Sequence, residues 1–335
     1  MLDNEHSRAA CMLCGSGRSA VYYHRDGNDH ILRCLQCGLL FVSPRPAKEK
    51  LEELYRASDP GYILRYKDRI FRRGRKILNA VQKFKKKGVL LDVGCGYGFF
   101  MDLAEKNGWK TKGVELSPAG ARFARENFGL DVFTGNITEA RLADKSFDLI
   151  SLQHTLEHIP EPLDMLITLR NKLKDDGILS IAVPNALSLA ARSARINWVC
   201  LSERTHLFHY TKKTLRLLLE KTGFIPISIG TFEWDTRELL WGLKMLLTAR
   251  NGSGERCSHC PSRNLSTNPP PVPQLCQEQT DAAGTEETAG RCNKIICRAA
   301  FPLSWAAGKL GLGAEIIVLA KKRITLRWTE TQVRE

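Results

Sequence analysis

The chain has 335 residues, 43% of them apolar, and carries 50 Lys and Arg against 36 Asp and Glu, a formal charge of +14. That length holds one α/β domain plus a small appendage, and the apolar fraction is ordinary for a globular protein. No apolar run approaches the roughly 20 residues of a membrane span and the polar N-terminus has no signal-peptide core, so a cytoplasmic chain without a span is expected.

Residues 1–43 carry Cys11-x-x-Cys14 and Cys34-x-x-Cys37-Gly38, two knuckles about 20 residues apart. The chain has eleven cysteines, and C-x-x-C pairs in a chain without a secretion signal point to metal rather than to disulfides. Four thiolates close a tetrahedral site and leave no open position for water or substrate, so the expected ion is structural Zn2+. The stretches Val21–His24 and Ile31–Arg33 suit the strands of a zinc ribbon, a unit too small to fold reliably without its metal.

Residues 44–88 read as a helical linker and pocket lid. Within them, 62–87 form a basic amphipathic stretch with Ile63, Tyr66, Ile70, Ile77, Val81 and Phe84 near helical spacing. Next, Val89–Val93 reads as a buried parallel strand running into Gly94-Cys95-Gly96-Tyr97-Gly98, a turn that opens a helix at Phe99. The last glycine of the dinucleotide fingerprint is missing, since Phe99 stands there, which disfavours a dehydrogenase. A second strand, Lys112–Leu116, ends in an acid, Glu115, able to take both hydroxyls of a ribose.

Asp92-x-Gly94-x-Gly96-x-Gly98 followed by a strand-end acid resembles the class I S-adenosylmethionine-dependent methyltransferases, over roughly 89–250 and 305–323. Phe147–Leu152 is similar to that family's fourth strand, and Gly177–Asn185 to its fifth, after a helix from Pro162 to Lys174 and an Asp-Gly turn. Ala314–Lys322 is similar to its last, antiparallel strand. The fold implied is α/β, a Rossmann-like seven-stranded methyltransferase sheet behind an N-terminal zinc ribbon. The core would span 89–250 and 294–323, interrupted by a flexible insertion at 251–293 and followed by a tail at 324–335.

With S-adenosyl-L-methionine as cofactor, Asp92, Gly94, Cys95, Gly96 and Gly98 are expected around its methionine and ribose. Glu115 would hold the ribose hydroxyls, Leu116 would flank adenine, Asn136 and Ile137 would border the adenine edge, and Gln153 and His154 would line the floor. The ribbon followed by Gly38-Leu39-Leu40-Phe41-Val42-Ser43-Pro44-Arg45-Pro46 resembles the head of bacterial methyltransferases associated with cell-surface sugar and secondary-metabolite pathways.

Two histidine clusters border the expected ligand crevice. Leu156-Glu157-His158-Ile159-Pro160 is similar to a signature of the small-molecule branch that includes quinone O-methyltransferases, some of which hold a divalent metal through two acids and the histidine. Here His154 replaces the earlier acid. The second cluster, His206-Leu207-Phe208-His209-Tyr210-Thr211, looks like the family's turn on the acceptor side, with Thr211 as N-cap and Gly223 as stop of the next helix. His158 and His206 are the candidate bases, weighed against simple bracing of their loops; for Glu157 and His209 the bracing reading is preferred.

The insertion carries Cys257, His259, Cys260, Cys276 and Cys292 at irregular spacing and reads as a loop rather than a second zinc site. The motifs of exocyclic amine methylation and of a cysteine nucleophile for cytosine are missing after the fourth and fifth strands. The expected substrate is a small molecule or glycan precursor. The alternative is an RNA-binding protein or RNA methyltransferase that uses the ribbon and basic helix, and the oligomeric state is left open.

Overall fold

The computed structural model describes residues 10–25, 29–47, 49–51, 53, 64, 66–194, 198–233 and 306–323. The expected insertion at 251–293, the tail at 324–335 and Ile63 lie outside them.

The central sheet has seven strands. Its parallel members are β4 (Val89–Val93), β5 (Lys110–Glu115), β6 (Val132–Thr134), β7 (Phe147–Gln153), β8 (Leu173–Pro184) and β10 (Phe224–Phe232), and β11 (Glu315–Lys322) runs antiparallel between β10 and β8. The order across the sheet is β10-β11-β8-β7-β4-β5-β6. Runs such as Val89-Leu90-Leu91 and Leu149-Ile150-Ser151-Leu152 are buried almost throughout, as strands covered on both faces must be. The order reverses direction beside β4, so the carboxyl ends of β4, β5 and β7 open a crevice where this topology binds ligands.

Helices α1 (Lys67–Val81), α2 (Phe99–Lys106), α3 (Pro118–Phe128) and α4 (Pro162–Lys172) cover the sheet. Helix α1 lays Ile77, Leu78 and Val81 against Leu90, Phe100, Trp109, Leu149 and Ile178. In the basic stretch α1 covers 67–81, and Phe84, expected on its apolar face, is exposed with the Lys321 ammonium 5.2 Å from its ring. Helix α4 ends at Lys172, two residues earlier than expected. The Asp-Gly pair at 176–177 does not turn the chain there but belongs to the 12-residue β8, whose pairing with β7 shifts register between Phe147 and Leu149.

After β8 come two short helices, α5 (Leu189–Ala194) and α6 (Val199–Ser202), then β9 (Phe208–His209) and α7 (Lys212–Lys221). Thr211 caps α7 by accepting from Thr214 N at 3.2 Å, and Gly223 follows with φ +78, the left-handed geometry a helix stop requires.

The N-terminal strands β1 (Ser19–His24), β2 (His30–Cys34) and β3 (Leu40–Ser43) form an antiparallel sheet that takes β9 as its fourth member. The N-terminal segment therefore shares a sheet with a strand of the core. It shares a hydrophobic cluster too, in which Leu13, Leu32, Leu39 and Phe41 join Leu152, Leu156, Leu207 and Phe208. No helix among the described residues is long and apolar enough to cross a membrane.

Candidate active site

The turn after β4 is built on its neighbour strand. Gly94 N and Cys95 N donate to Val114 O at 2.8 and 3.2 Å, and Gly96 N donates to Glu115 Oε2 at 2.7 Å. Ser117 N donates to Glu115 Oε1, also at 2.7 Å, so the carboxylate is fixed at the mouth of the turn by backbone of both elements. Gly94 has φ +71, and a Cβ there would come within 2.6 Å of Thr155 Oγ1. Around Gly96, at φ +54, nothing lies within 4 Å of where a Cβ would stand, so a ligand can approach this backbone directly.

Beneath the turn, Asp92 is 2% exposed, and its Oδ1 has no hydrogen-bond partner among the described residues. Burial pushes its pKa up to about 7 against the pull of the Ser151 hydroxyl and the Arg73 charge. A buried carboxylate with one unpartnered oxygen, beside an uncrowded glycine backbone and a strand-end acid, fits a ligand that carries both a cationic centre and a ribose diol, as S-adenosylmethionine does.

Leu116 is half-buried just after β5, while Asn136 and Ile137 follow β6, where Gly135 N donates to Glu115 O at 2.9 Å. The Cys95 side chain packs among Met101, Ala121, Ala124, Leu130 and Val132, and burial raises its thiol pKa well above the usual value. Only the backbone of Cys95 is thus left to the turn.

Gln153 and His154 end β7 on the same edge, but both belong to an ion network absent from the expected floor. Arg69 donates to Glu315 Oε1 at 3.0 and 2.8 Å, and Arg73 reaches both Glu315 oxygens at 3.2 and 3.3 Å. Arg73 Nε also donates to Gln153 Oε1 at 2.9 Å. His154, at φ +54, lies 3.0 Å from Glu315 Oε1 through Nε2 and 3.3 Å from Glu157 Oε1 through Nδ1. Burial opposes charge on both partners. Arg73, His154 and Arg69 nevertheless hold the Glu315 carboxyl well below the usual range, and Glu315 raises the His154 imidazole in return.

The two histidine clusters of the sequence meet through His158 and His206. The one-turn helix Leu156–His158 is tied to the glycine turn by Thr155, whose Oγ1 donates to Val93 O at 3.0 Å. His158 Nδ1 lies 2.9 Å from Thr205 O, which places the proton on Nδ1 and leaves Nε2 as the basic nitrogen. Its ring meets that of His206 edge-on, with centroids 4.7 Å apart. Burial, then the charges of His158, His209, His154 and Arg25, lower the His206 pKa well below the usual value, so this imidazole is neutral at pH 7 and keeps a nitrogen lone pair, though its protonated form is disfavoured.

His209 is 2% exposed, with its pKa lowered to about 3 by burial and then by Arg25 and His158. Its ring packs against that of Trp198 with centroids 5.7 Å apart, and neither ring nitrogen has a hydrogen-bond partner among the described residues. Ligand atoms of Glu157, His158 and His206 lie within 4.8 Å of one another and could hold a metal ion. From the sequence, the replacement of an acid by His154 spoke against a metal on His154, Glu157 and His158, and in the structure it is His206 that joins Glu157 and His158 while His154 is turned toward Glu315.

In the N-terminal cysteine cluster, Cys11 Sγ lies 3.6 Å from Cys37 Sγ and Cys14 Sγ lies 3.4 Å from Cys34 Sγ, all four within 4.8 Å. Thiolates at about 2.3 Å from a tetrahedral zinc stand roughly 3.8 Å apart, so the spacing fits that ion. The Cys34 thiol, despite its burial, is brought down to about 7 by the N–H groups of Cys37 and Gln36. Cys34→Ser is expected to release the ion. Plasma emission analysis should find about one zinc per wild-type chain and far less in the variant, and equal contents would contradict the site.

A family model described as a methyltransferase domain matches residues 64–229. The ubiquinone biosynthesis O-methyltransferase of Cereibacter sphaeroides is 30% identical over 165 residues, 46% of this chain and 67% of that protein. The one of Actinobacillus pleuropneumoniae serotype 7 is 28% identical over 149 residues, 40% of this chain and 63% of that protein. Among solved structures, a chain in the complex of the Haloferax volcanii Trm112 methyltransferase activator with a methyltransferase superposes with a TM-score of 0.50 at 12% identity. It covers 83% of this chain and 100% of its own length, a likeness of fold alone. The chain belongs to the S-adenosylmethionine-dependent methyltransferases. It spans less than two thirds of the length of the first of these curated relatives.

Sequence reasoning missed Arg69, Arg73, Glu315, Arg25 and Thr155. A signal existed for the first three. Arg69 and Arg73 are four apart, hence on one face of α1, and Glu315 is an acid opening an otherwise apolar strand.

Proposed function

We propose that the chain transfers the methyl group of S-adenosylmethionine to a hydroxyl of a small, quinone-like acceptor. One observation carries the reading: the glycine turn with Glu115 and the His158–His206 pair share one edge of the sheet, joined through Thr155. The quinone-like acceptor is supported by the relatives named above and by the Leu156-Glu157-His158-Ile159-Pro160 segment; a glycan precursor is the competing small-molecule class.

The bound cofactor supplies an electrophilic methyl carbon on a sulfonium. Glu115 accepts from the ribose hydroxyls while its remaining lone pairs keep Gly96 N and Ser117 N. Asp92 offers its unpaired oxygen to the cationic end. His206, neutral and aimed beside His158, takes the acceptor's hydroxyl proton as the oxygen attacks in line, and proximity does much of the rest. The four cysteines hold zinc in a structural role.

His206→Ala is expected to lower turnover of a catechol-type hydroxyl by roughly 100-fold or more with cofactor affinity unchanged, read by transfer of labelled methyl. Turnover equal to wild type would remove His206 from the chemistry. Transfer to RNA with no small-molecule turnover would favour the alternative reading.

A second reading of the acceptor side rests on the closeness of Glu157, His158 and His206. A divalent cation held there would supply Lewis acidity to the same hydroxyl, and dependence of turnover on added Mg2+ or Zn2+ after chelation would favour it.

Asp92 gives a pH signature. Its folded pKa, about 7, is above the unfolded value, so its contribution to stability is full below about pH 4 and is lost as pH rises through 7. Cation binding favours the ionised form. Affinity for the cofactor is therefore expected to rise between pH 6 and 8, by at most about tenfold per unit, and Asp92→Asn should flatten that rise in calorimetric titrations.

A further inference from the structure

The segment from Trp198 to Leu207 carries His206, yet past the four-residue α6 it has no regular structure to hold it. Its backbone is gripped instead from outside. Arg25, one residue beyond β1 and 7% exposed, donates through Nε to Leu201 O at 2.9 Å and through Nη2 to Glu203 O at 2.9 Å and His206 O at 2.8 Å. Asp29 stands 3.6 Å from Nη1, on the side away from these carbonyls, and balances the charge.

Next along the segment, Val42 N of β3 donates to Leu207 O at 2.9 Å, and Leu207 N donates to Glu157 O at 2.8 Å. A further carbonyl, Thr205 O, is met by His158 Nδ1, and Glu203 O also accepts from His206 N at 3.2 Å. A planar guanidinium meets three carbonyls of one loop at fixed angles in a way an ammonium cannot.

We propose that Arg25 is a positioning residue for His206, and that the cysteine-held ribbon serves to deliver Arg25 and β3 to the acceptor loop. The inference rests on the reading of His206 as the base. Arg25 touches neither cofactor nor acceptor. Its part is to fix the carbonyl of His206 so that the imidazole stands against His158 at the crevice, and loss of the ribbon's metal would act through the same contacts.

The test is hydrogen exchange by mass spectrometry on the full, zinc-loaded chain, comparing wild type with Arg25→Met and Arg25→Lys. Calorimetry with S-adenosylhomocysteine accompanies it. In Arg25→Met, exchange across 201–210 should quicken at least tenfold. Protection of β4, β5 and β7 and affinity for S-adenosylhomocysteine should stay as in wild type, and Arg25→Lys should fall between. With an acceptor in hand, kcat should fall while the KM for S-adenosylmethionine holds.

Wild-type loop exchange in Arg25→Met would overturn the inference. If Arg25→Met loses its sheet protection, Arg25→Lys decides: a rise confined to 201–210 supports the inference and wild-type behaviour overturns it. Failure of wild type to bind S-adenosylhomocysteine would count against the proposed function and leave the exchange result standing.

Discussion

Glu115→Ala is expected to bind S-adenosylmethionine and S-adenosylhomocysteine at least 100-fold more weakly than wild type while the sheet stays folded. Two hydrogen bonds from a ribose diol to a carboxylate contribute on the order of 3 kcal/mol, and that alone is about a factor of 100. The true loss should be larger, because the same carboxylate accepts from Gly96 N and Ser117 N and so holds the turn in its binding shape. The variant should keep its fold: Glu115 is at the crevice edge of β5, and the apolar contacts of Val114 beneath it are untouched. Glu115→Gln, which keeps one acceptor oxygen, should fall between. Wild-type affinity in Glu115→Ala, measured by calorimetry beside its far-UV spectrum, would remove the ribose assignment.

Glu315→Ala is expected to cost about 3–5 kcal/mol of stability, the usual penalty for breaking one side of a buried ion cluster. Glu315 is 1% exposed and faces Arg69, Arg73 and His154, so its loss leaves three cationic groups without their shared acceptor. It would also free α1 from the edge where Arg73 reaches Gln153. The wild type carries a matching pH signature. The Glu315 carboxyl is held well below its ordinary range, so its contribution is full above about pH 4.5 and is lost as pH falls through the lower folded value. Urea unfolding at pH 7 checks the first expectation, and a loss under 1 kcal/mol would contradict it. The variant should also lose much of the wild type's acid sensitivity.

The parallel strands were legible because burial on both faces writes itself as unbroken Val, Leu and Ile, and the turn because glycines fall where φ must be positive. Cys11, Cys14, Cys34 and Cys37 converge as their spacing implied, since a knuckle fixes two thiolates locally and only one long-range pairing was left to find. Contacts that depend on how distant elements pack were not legible. Nothing near Arg25 in the sequence shows that it grips carbonyls more than 170 residues away, and His154 reads as a pocket residue until β11 brings Glu315 against it. The Asp176-Gly177 pair misled because a turn signal weighs less than the pairing of β8 with its two neighbours.

The most direct test of the claim that the turn after β4 is a cofactor cradle is calorimetric titration of the full chain with S-adenosylhomocysteine, with Glu115→Ala in parallel. The expected result is one-to-one binding in roughly the micromolar range by wild type, lost in the variant. A folded wild-type chain that takes up neither S-adenosylhomocysteine nor S-adenosylmethionine would contradict the claim.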